Sequence, residues 1–320
     1  MSDRPASRPL VALAWMTGAI ASFTLMAVAG RTAQEELNSF QLMMWRSLIG
    51  LVVVSVLITF GRRGWSEVRS AHPGLHLTRN VVHFAGQNLW FYGIMAIPLS
   101  QLVALEFTLP IWVALMAPIF LGEALTRRKL IAAFVGFVGV LIVARPGLQP
   151  LGPGHAAGLL AAVCFAFNLI WTKRIMQHDG VLCVLFWMTL LQAVFGALTG
   201  FAGGLALPSA DLWPWIGIVG LTGLTAHYAL TSALAAAPAS VVAPMEFLRL
   251  PVISIVGALV YAEALDPVVF IGAAVIFAAT YMTVLNERQR LRALAAEAHA
   301  EGLGATERAQ DAGSGHPPRG

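Results

Sequence analysis

The chain has 320 residues, 58% of them hydrophobic and 11% charged, with a formal net charge of +4. A soluble domain carries roughly 25% charged residues, so this chain cannot coat a water-facing surface of its own size, and lipid is its expected solvent. The basic residues sit in particular loops and form no single patch, so no nucleic-acid partner is expected.

A spanning helix needs about 20 mostly apolar residues. That rule predicts ten spans, near 10–30, 40–60, 79–96, 99–121, 130–145, 156–173, 181–203, 212–234, 239–262 and 267–286. The first follows Arg4 and Arg8 and contains Ala27-Val28-Ala29, which looks like a cleavage site. Leu10 to Ala29 is long enough to span, and further spans follow, so it is read as an uncleaved first helix. In it Trp15 and Gly18 sit three apart. Arg46, near one end of the second span, is expected to snorkel or to pair with Glu35 or Glu36.

The third span carries Asn80, His83, Gln87 and Trp90 at spacings of 3, 4 and 3, which keep them on one stripe. A polar stripe inside a membrane faces a cavity or another helix; Trp90 could instead belong to the interfacial aromatic belt. Glu106 lies about two turns into the fourth span, before Pro110, which is expected to loosen the helix locally. Glu123, beside Arg127, Arg128 and Lys129, reads as a boundary ion pair. Gly136 and Gly139 in the fifth span are only three apart, so the G-x-x-x-G pairing signal is not met and a homodimer is left open.

The sixth span holds Asn168 and Trp171, and the eighth holds Thr225, His227, Tyr228, Thr231 and Ser232. The ninth holds Glu246, Arg249 and Pro251, with Glu263 at its close. Cys164 and Cys183 show neither metal-ligand spacing nor a disulfide framework and are read as small core residues. After Glu287 the chain turns charged, and a surface helix to about His299 followed by disorder is expected.

Lys and Arg set the orientation. With the N-terminus cytoplasmic, sixteen of the twenty fall on the inside, Arg79 among them. Only Arg31 and Arg145 fall outside, and Arg46 and Arg249 fall within spans. Both termini are therefore expected in the cytoplasm, with the protein multi-pass in the inner (cytoplasmic) membrane.

The chain also contains a faint copy of itself. Pro98-Leu99-Ser100, Glu106-Phe107 and Glu123-Ala124-Leu125 recur as Pro238-Ala239-Ser240, Glu246-Phe247 and Glu263-Ala264-Leu265, each 140 residues later. Trp45 with Trp187 and Arg31 with Lys173 repeat at 142. Five spans per half is an odd number, so the second half enters from the opposite side, and the repeat is expected to be inverted, as in alternating-access carriers. The expected fold is thus an all-α polytopic membrane protein, with residues 1–147 and 148–287 as five-helix repeats and 288–320 as a tail.

Leu105-Glu106-Phe107-Thr108-Leu109-Pro110-Ile111-Trp112, then Phe120-Leu121-Gly122-Glu123, then Gly139-Val140-Leu141-Ile142-Val143-Ala144-Arg145-Pro146, resemble the EamA family of the drug/metabolite transporter superfamily. The resemblance covers nearly the whole chain. It implies a ten-helix inner-membrane carrier whose central cavity is lined mainly by helices one, three, four, six, eight and nine. Members move aromatic and other amino acids, riboflavin, S-adenosylmethionine, metallophores and unidentified metabolites. The second half departs from the first at Arg249, which stands where the first half has Leu109, so charge in the site is not symmetric.

The candidate substrate-binding or coupling residues are Glu106, Glu246, Arg249, His83, Gln87, Asn168, Trp171, His227 and Tyr228. Ionisable groups in a span are costly and usually face a cavity or a partner. Arg249, one turn after Glu246, either pairs with it or grips a carboxylate or phosphate of a solute. Glu106 and Glu246 are open to proton coupling or to pinning helices together. Amides interleaved with aromatics suit a flat or amphipathic solute. The reading is a secondary transporter of a small metabolite such as an amino acid, a riboflavin-like or an S-adenosylmethionine-like solute. A proton is the candidate coupling ion, and no cofactor or metal is expected. The alternatives are an intramembrane lipid-modifying enzyme and a membrane scaffold. No G-x-x-x-x-G-K-[ST] or H-E-x-x-H motif is present to suggest ATP hydrolysis or a metalloprotease.

Overall fold

The structure, a computed structural model, describes residues 9–121, 127–145, 151–201, 207–236 and 248–279, together with positions 245, 281, 282, 285 and 289. All regular structure among these residues is helical. The helices are α1 (Pro9–Ala33), α2 (Ser39–Phe60), α3 (Pro73–Ala96), α4 (Leu99–Glu106), α5 (Leu109–Leu121), α6 (Arg127–Ala144), α7 (Pro153–Ile175), α8 (Val181–Phe201) and α9 (Trp213–Ala236). Two more follow, α10 (Arg249–Tyr261) and α11 (Pro267–Ala279). Four of them, α1, α2, α7 and α8, are long and apolar enough to cross a membrane on length and composition.

Local chemistry sets the helix starts. Asn38 caps α2 by accepting from the Gln41 backbone N–H at 2.9 Å, while the Gln41 side chain accepts from the Asn38 N–H at 3.1 Å. Pro73 and Pro153 open α3 and α7, where a missing N–H costs nothing. The third helix therefore begins earlier than its apolar run, and Arg79, counted above among loop residues, lies inside α3 and is buried.

The expected fourth span is two helices. The chain leaves α4 after Glu106 and re-enters α5 at Leu109. A proline at 110 clashes with the carbonyl four residues back, that of Glu106. Thr108 takes up the break: its hydroxyl donates to the Leu105 carbonyl at 2.7 Å and accepts from Trp112 Nε1 at 3.0 Å.

Three nested helix pairs organise the bundle: α1 with α9, α2 with α8, and α3 with α7. Within each pair the residue numbers run in opposite directions. Along α2–α8, for example, Gln41 faces Gly200, Met44 faces Gly196 and Gly50 faces Thr189. The buried α4 packs against α7, α10 and α6. Gly139 of α6 and Gly272 of α11 meet backbone to backbone, where an added Cβ on either would lie 2.9 Å from the other's carbonyl oxygen.

Large apolar side chains such as Val52, Phe60, Phe134, Leu198 and Leu259 are exposed, while Arg46, Arg79, Asn80, His83, Gln87 and Gln192 are buried. This is the reverse of a water-soluble domain and the distribution a bilayer selects.

At one end of the bundle, called here the Arg31 end, Arg31 donates to the carbonyls of Ile94 at 2.6 Å and Ile97 at 3.2 Å and pairs with Glu263. Glu263 in turn accepts from the Leu99 backbone N–H at 2.9 Å, so one ion pair closes the C-terminus of α3 and the N-terminus of α4. Ala262 ends α10 in a left-handed conformation, φ 53°, which turns the chain just before Glu263. At the same end Arg145 pairs with Asp266, and Glu36 accepts from Ser209.

At the opposite end, the His76 end, Asp179 accepts from Ser70 Oγ at 2.6 Å and is paired with His76 Nε2 at 2.8 Å. Burial opposes the charge of Asp179, but those bonds overcome it and hold its carboxyl below the usual range. Cys183 lies beside them; the potential ligand atoms of His76, Asp179 and Cys183 fall within 4.8 Å of one another, a proximity that sequence spacing concealed.

Candidate transport site

The stripe on α3 faces inward and meets polar groups from three other helices. Gln87, with its amide oxygen toward Arg46, accepts from Arg46 Nη2 at 3.2 Å and also from Nη1, and its nitrogen donates to Gln192 Oε1 at 2.7 Å. Gln192 Nε2 is 2.9 Å from His83 Nδ1. His83 packs edge-on to His227, with ring centroids 6.3 Å apart, and His227 packs edge-on to Phe23 of α1. Helices α2, α3, α8 and α9 thus join in one polar network. His83 and Gln192 sit about 15 Å along α3 and α8, halfway through a hydrocarbon core of roughly 30 Å.

Arg46 does not snorkel, and it pairs with neither Glu35 nor Glu36. It is 6% exposed, points into the network and also donates to Met43 Sδ at 3.6 Å. Its guanidinium lies flat on α9 at Gly223, where an added Cβ would stand 2.7 Å from Nη2. Arg79, one turn before His83, is 5% exposed. It donates to Thr172 Oγ1 at 2.9 Å, to Asn80 Oδ1 at 3.1 Å and to Met188 Sδ at 3.9 Å.

Arg46, Arg79 and Gln192 are the polar residues that sequence reasoning missed. A signal existed for two of them: Arg79 precedes His83 by four residues on the same face, and Gln192 is a large polar side chain in the mostly apolar α8.

A second polar group sits near the break between α4 and α5. Arg249 Nη2 pairs with Glu106 Oε1 at 2.9 Å, and Trp90 Nε1 donates to Glu106 Oε2 at 3.0 Å. The Arg249 guanidinium also lies over the rings of Phe23, at 5.2 Å, and Phe107, at 5.5 Å. Trp90 is therefore an interior hydrogen-bond donor and not part of an interfacial belt.

The other expected residues are placed as follows. Trp171 is buried and stacked on Phe167 at 3.8 Å. Asn168 Oδ1 is buried without a partner among the described residues. Tyr228 is 60% exposed and packs edge-on to Trp15, away from the network, because its neighbour His227 takes the inward face of α9. Glu246, Glu123 and the charged tail lie outside the described residues.

A narrow crevice of about 10 Å³ beside the network, room for a single water, is lined by Arg46, Ser47, Met188, Thr189, Gln192 and Leu224. That is far below the roughly 300–1,000 Å³ of a metabolite pocket, so the site is closed in this structure.

Helices apolar outside and charged within, converging on a polar network at mid-depth, define an integral membrane protein. The sequence pattern of the EamA-like transporter family matches twice, over residues 10–145 and 152–285. The chain belongs to that family, and so to the drug/metabolite transporter superfamily. It is 30% identical to a riboflavin transporter of Brucella anthropi, across 83% of this chain and 95% of that one. It is 23% identical to an S-adenosylmethionine uptake transporter of Rickettsia bellii, across 88% and 96% of the two chains. A protein of known crystal structure shares the fold at 17% identity with a TM-score of 0.57, across 87% of this chain and 98% of that one.

Proposed function

We propose that this protein is a secondary carrier that moves a small organic metabolite across the inner (cytoplasmic) membrane by alternating access. The observation that carries this reading is the network of Arg46, Gln87, Gln192, His83 and His227. It lies at mid-depth, and its members come from both family-matched segments. A site between two halves that rock against each other is the carrier design.

The repeat at offset 140 supports reading those segments as inverted five-helix units. The Lys and Arg distribution supports cytoplasmic termini. His83, Gln87, Asn168, Trp171 and His227 would orient the solute, and Glu106, Glu246 and Arg249 would supply charge or carry a coupling proton. Relatives named for riboflavin and S-adenosylmethionine add flavins and adenosyl compounds to amino acids as the solutes to test first.

Proteoliposomes containing the full chain test this. Radiolabelled solutes from those three classes are offered with and without an imposed proton gradient. Saturable uptake of at least one is expected, weakened by Glu246→Gln if that carboxylate couples. No uptake across the set by folded protein would contradict the proposal.

A further inference from the structure

Charge among the described residues of the bundle interior does not balance. These include three arginines, Arg46, Arg79 and Arg249, and one acid, Glu106. Arg249 and Trp90 occupy both oxygens of that acid. Among the described residues Arg46 and Arg79 have neutral partners only: an amide of Gln87, a thioether each, the Thr172 hydroxyl and the Asn80 amide. Both guanidiniums are at least nine-tenths buried. Neutral acceptors satisfy N–H groups but leave the charge uncompensated, and an isolated buried charge is strongly unfavourable.

The two cations stand at the two ends of one polar face. Arg79, His83 and Gln87 follow one another at i, i+4 and i+8 along a single face of α3. Arg46 reaches the upper end of that face through Gln87, and Arg79 forms its lower end. Between them stand His83 and Gln192, groups that hydrogen-bond without adding fixed charge.

We infer that Arg46 and Arg79 form an anion-binding subsite, and that the transported solute is an organic anion whose carboxylate or phosphate enters between them. This rests on the carrier reading and narrows its substrate class. A planar guanidinium presents paired donors that match either oxyanion, and the solute's charge offsets the repulsion between the arginines. The remainder of the solute lies toward Gln192 and His227. The same arrangement works against a solute of net positive charge, which would add a third cation to the site.

The test uses the purified full chain and solutes matched except for the anionic group: riboflavin against flavin mononucleotide, adenosine against adenosine monophosphate, and decarboxylated S-adenosylmethionine as the cation. The readout is the rise in apparent melting temperature with solute concentration at neutral pH. The anionic member of at least one pair is expected to bind at least tenfold more tightly than its neutral partner. Arg79→Gln is expected to abolish that preference, and Arg79→Lys, which keeps charge but not the fork, to retain part of it. The wild-type comparison decides even where a variant does not fold.

Equal or tighter binding of the neutral members, preference for the cation, or no shift with any solute would overturn the inference. Counterflow separates it from the carrier reading. A neutral solute that is transported sinks the anion subsite alone. An anion that binds through Arg79 but does not move sinks the carrier alone.

Discussion

Arg249, the first residue of α10, holds Glu106, the last residue of α4, at 2.9 Å across 143 positions of the chain. Sequence logic offered Arg249 a nearer partner in Glu246, which lies outside the described residues; Glu106, the partner described, belongs to the other family-matched segment. Glu106→Gln leaves a largely buried guanidinium uncompensated and should cost about 3 kcal/mol. A double variant, Glu106→Gln with Arg249→Met, should recover most of that loss. Thermal unfolding in detergent across the four proteins checks it; additive losses would show that the pair is not coupled.

Gly223 tests the placement of Arg46. Alanine is the better helix former by up to about 1 kcal/mol, yet its Cβ would meet the guanidinium at 2.7–2.9 Å. Gly223→Ala should therefore displace Arg46 from Gln87 and lower the melting temperature, because losing a buried hydrogen bond to a charged group, worth about 1.5–3 kcal/mol, outweighs the propensity gain. Loss of one charge-assisted hydrogen bond predicts an affinity about tenfold weaker or worse for the transported solute. An unchanged affinity would place the solute elsewhere.

Much of the architecture was legible because lipid makes it so: long apolar runs, loop arginines and a family pattern mark the helices without any need for packing detail. The stripe of His83 and Gln87 was legible from helical period alone. The rest depended on three-dimensional facts that period does not encode. Arg79 was hidden because Pro73 starts α3 before its apolar run. Arg46 was misread because an end-of-helix arginine usually reaches water, whereas Gly223 gives this one room to lie inward. Tyr228 lies off the network because its neighbour His227 takes the inward face of α9, which composition alone does not reveal. The break at Phe107 and Thr108 was half legible, since Pro110 announces a weakness but not which residue absorbs it.

The His76 end should respond to acid. Asp179 is held below its ordinary value of 3.8, so the native state favours its charged form. That contribution is fully present above the ordinary value and is lost as pH falls through the lowered one. Asp179→Asn should lower the melting temperature at pH 7, with the gap from wild type narrowing as the pH is taken below about 4. A gap independent of pH between 3 and 7 would mean that the bonds from Ser70 and His76 do not stabilise the carboxylate.

A G-x-x-x-G pair is present after all, in α8 as Gly196 and Gly200, and it faces α2 within the same chain. A Cβ on Gly196 would lie 2.7 Å from the Met44 Cα, and a backbone atom cannot swing aside. Gly196→Ala should push α8 from α2 and destabilise by about 1–3 kcal/mol, measured as thermal unfolding. Full stability would show that the two helices separate at little cost.

Alternating access requires the Arg31 end to open and close, and in this structure Arg31 and Glu263 tie that end together. The most direct test replaces both with cysteine and joins them with a short reducible cross-linker in proteoliposomes, following counterflow of whichever solute the wild type exchanges. The uncross-linked protein should exchange it, the cross-linked protein should not, and reduction should restore exchange. Unchanged counterflow with the Arg31 end locked would contradict the account.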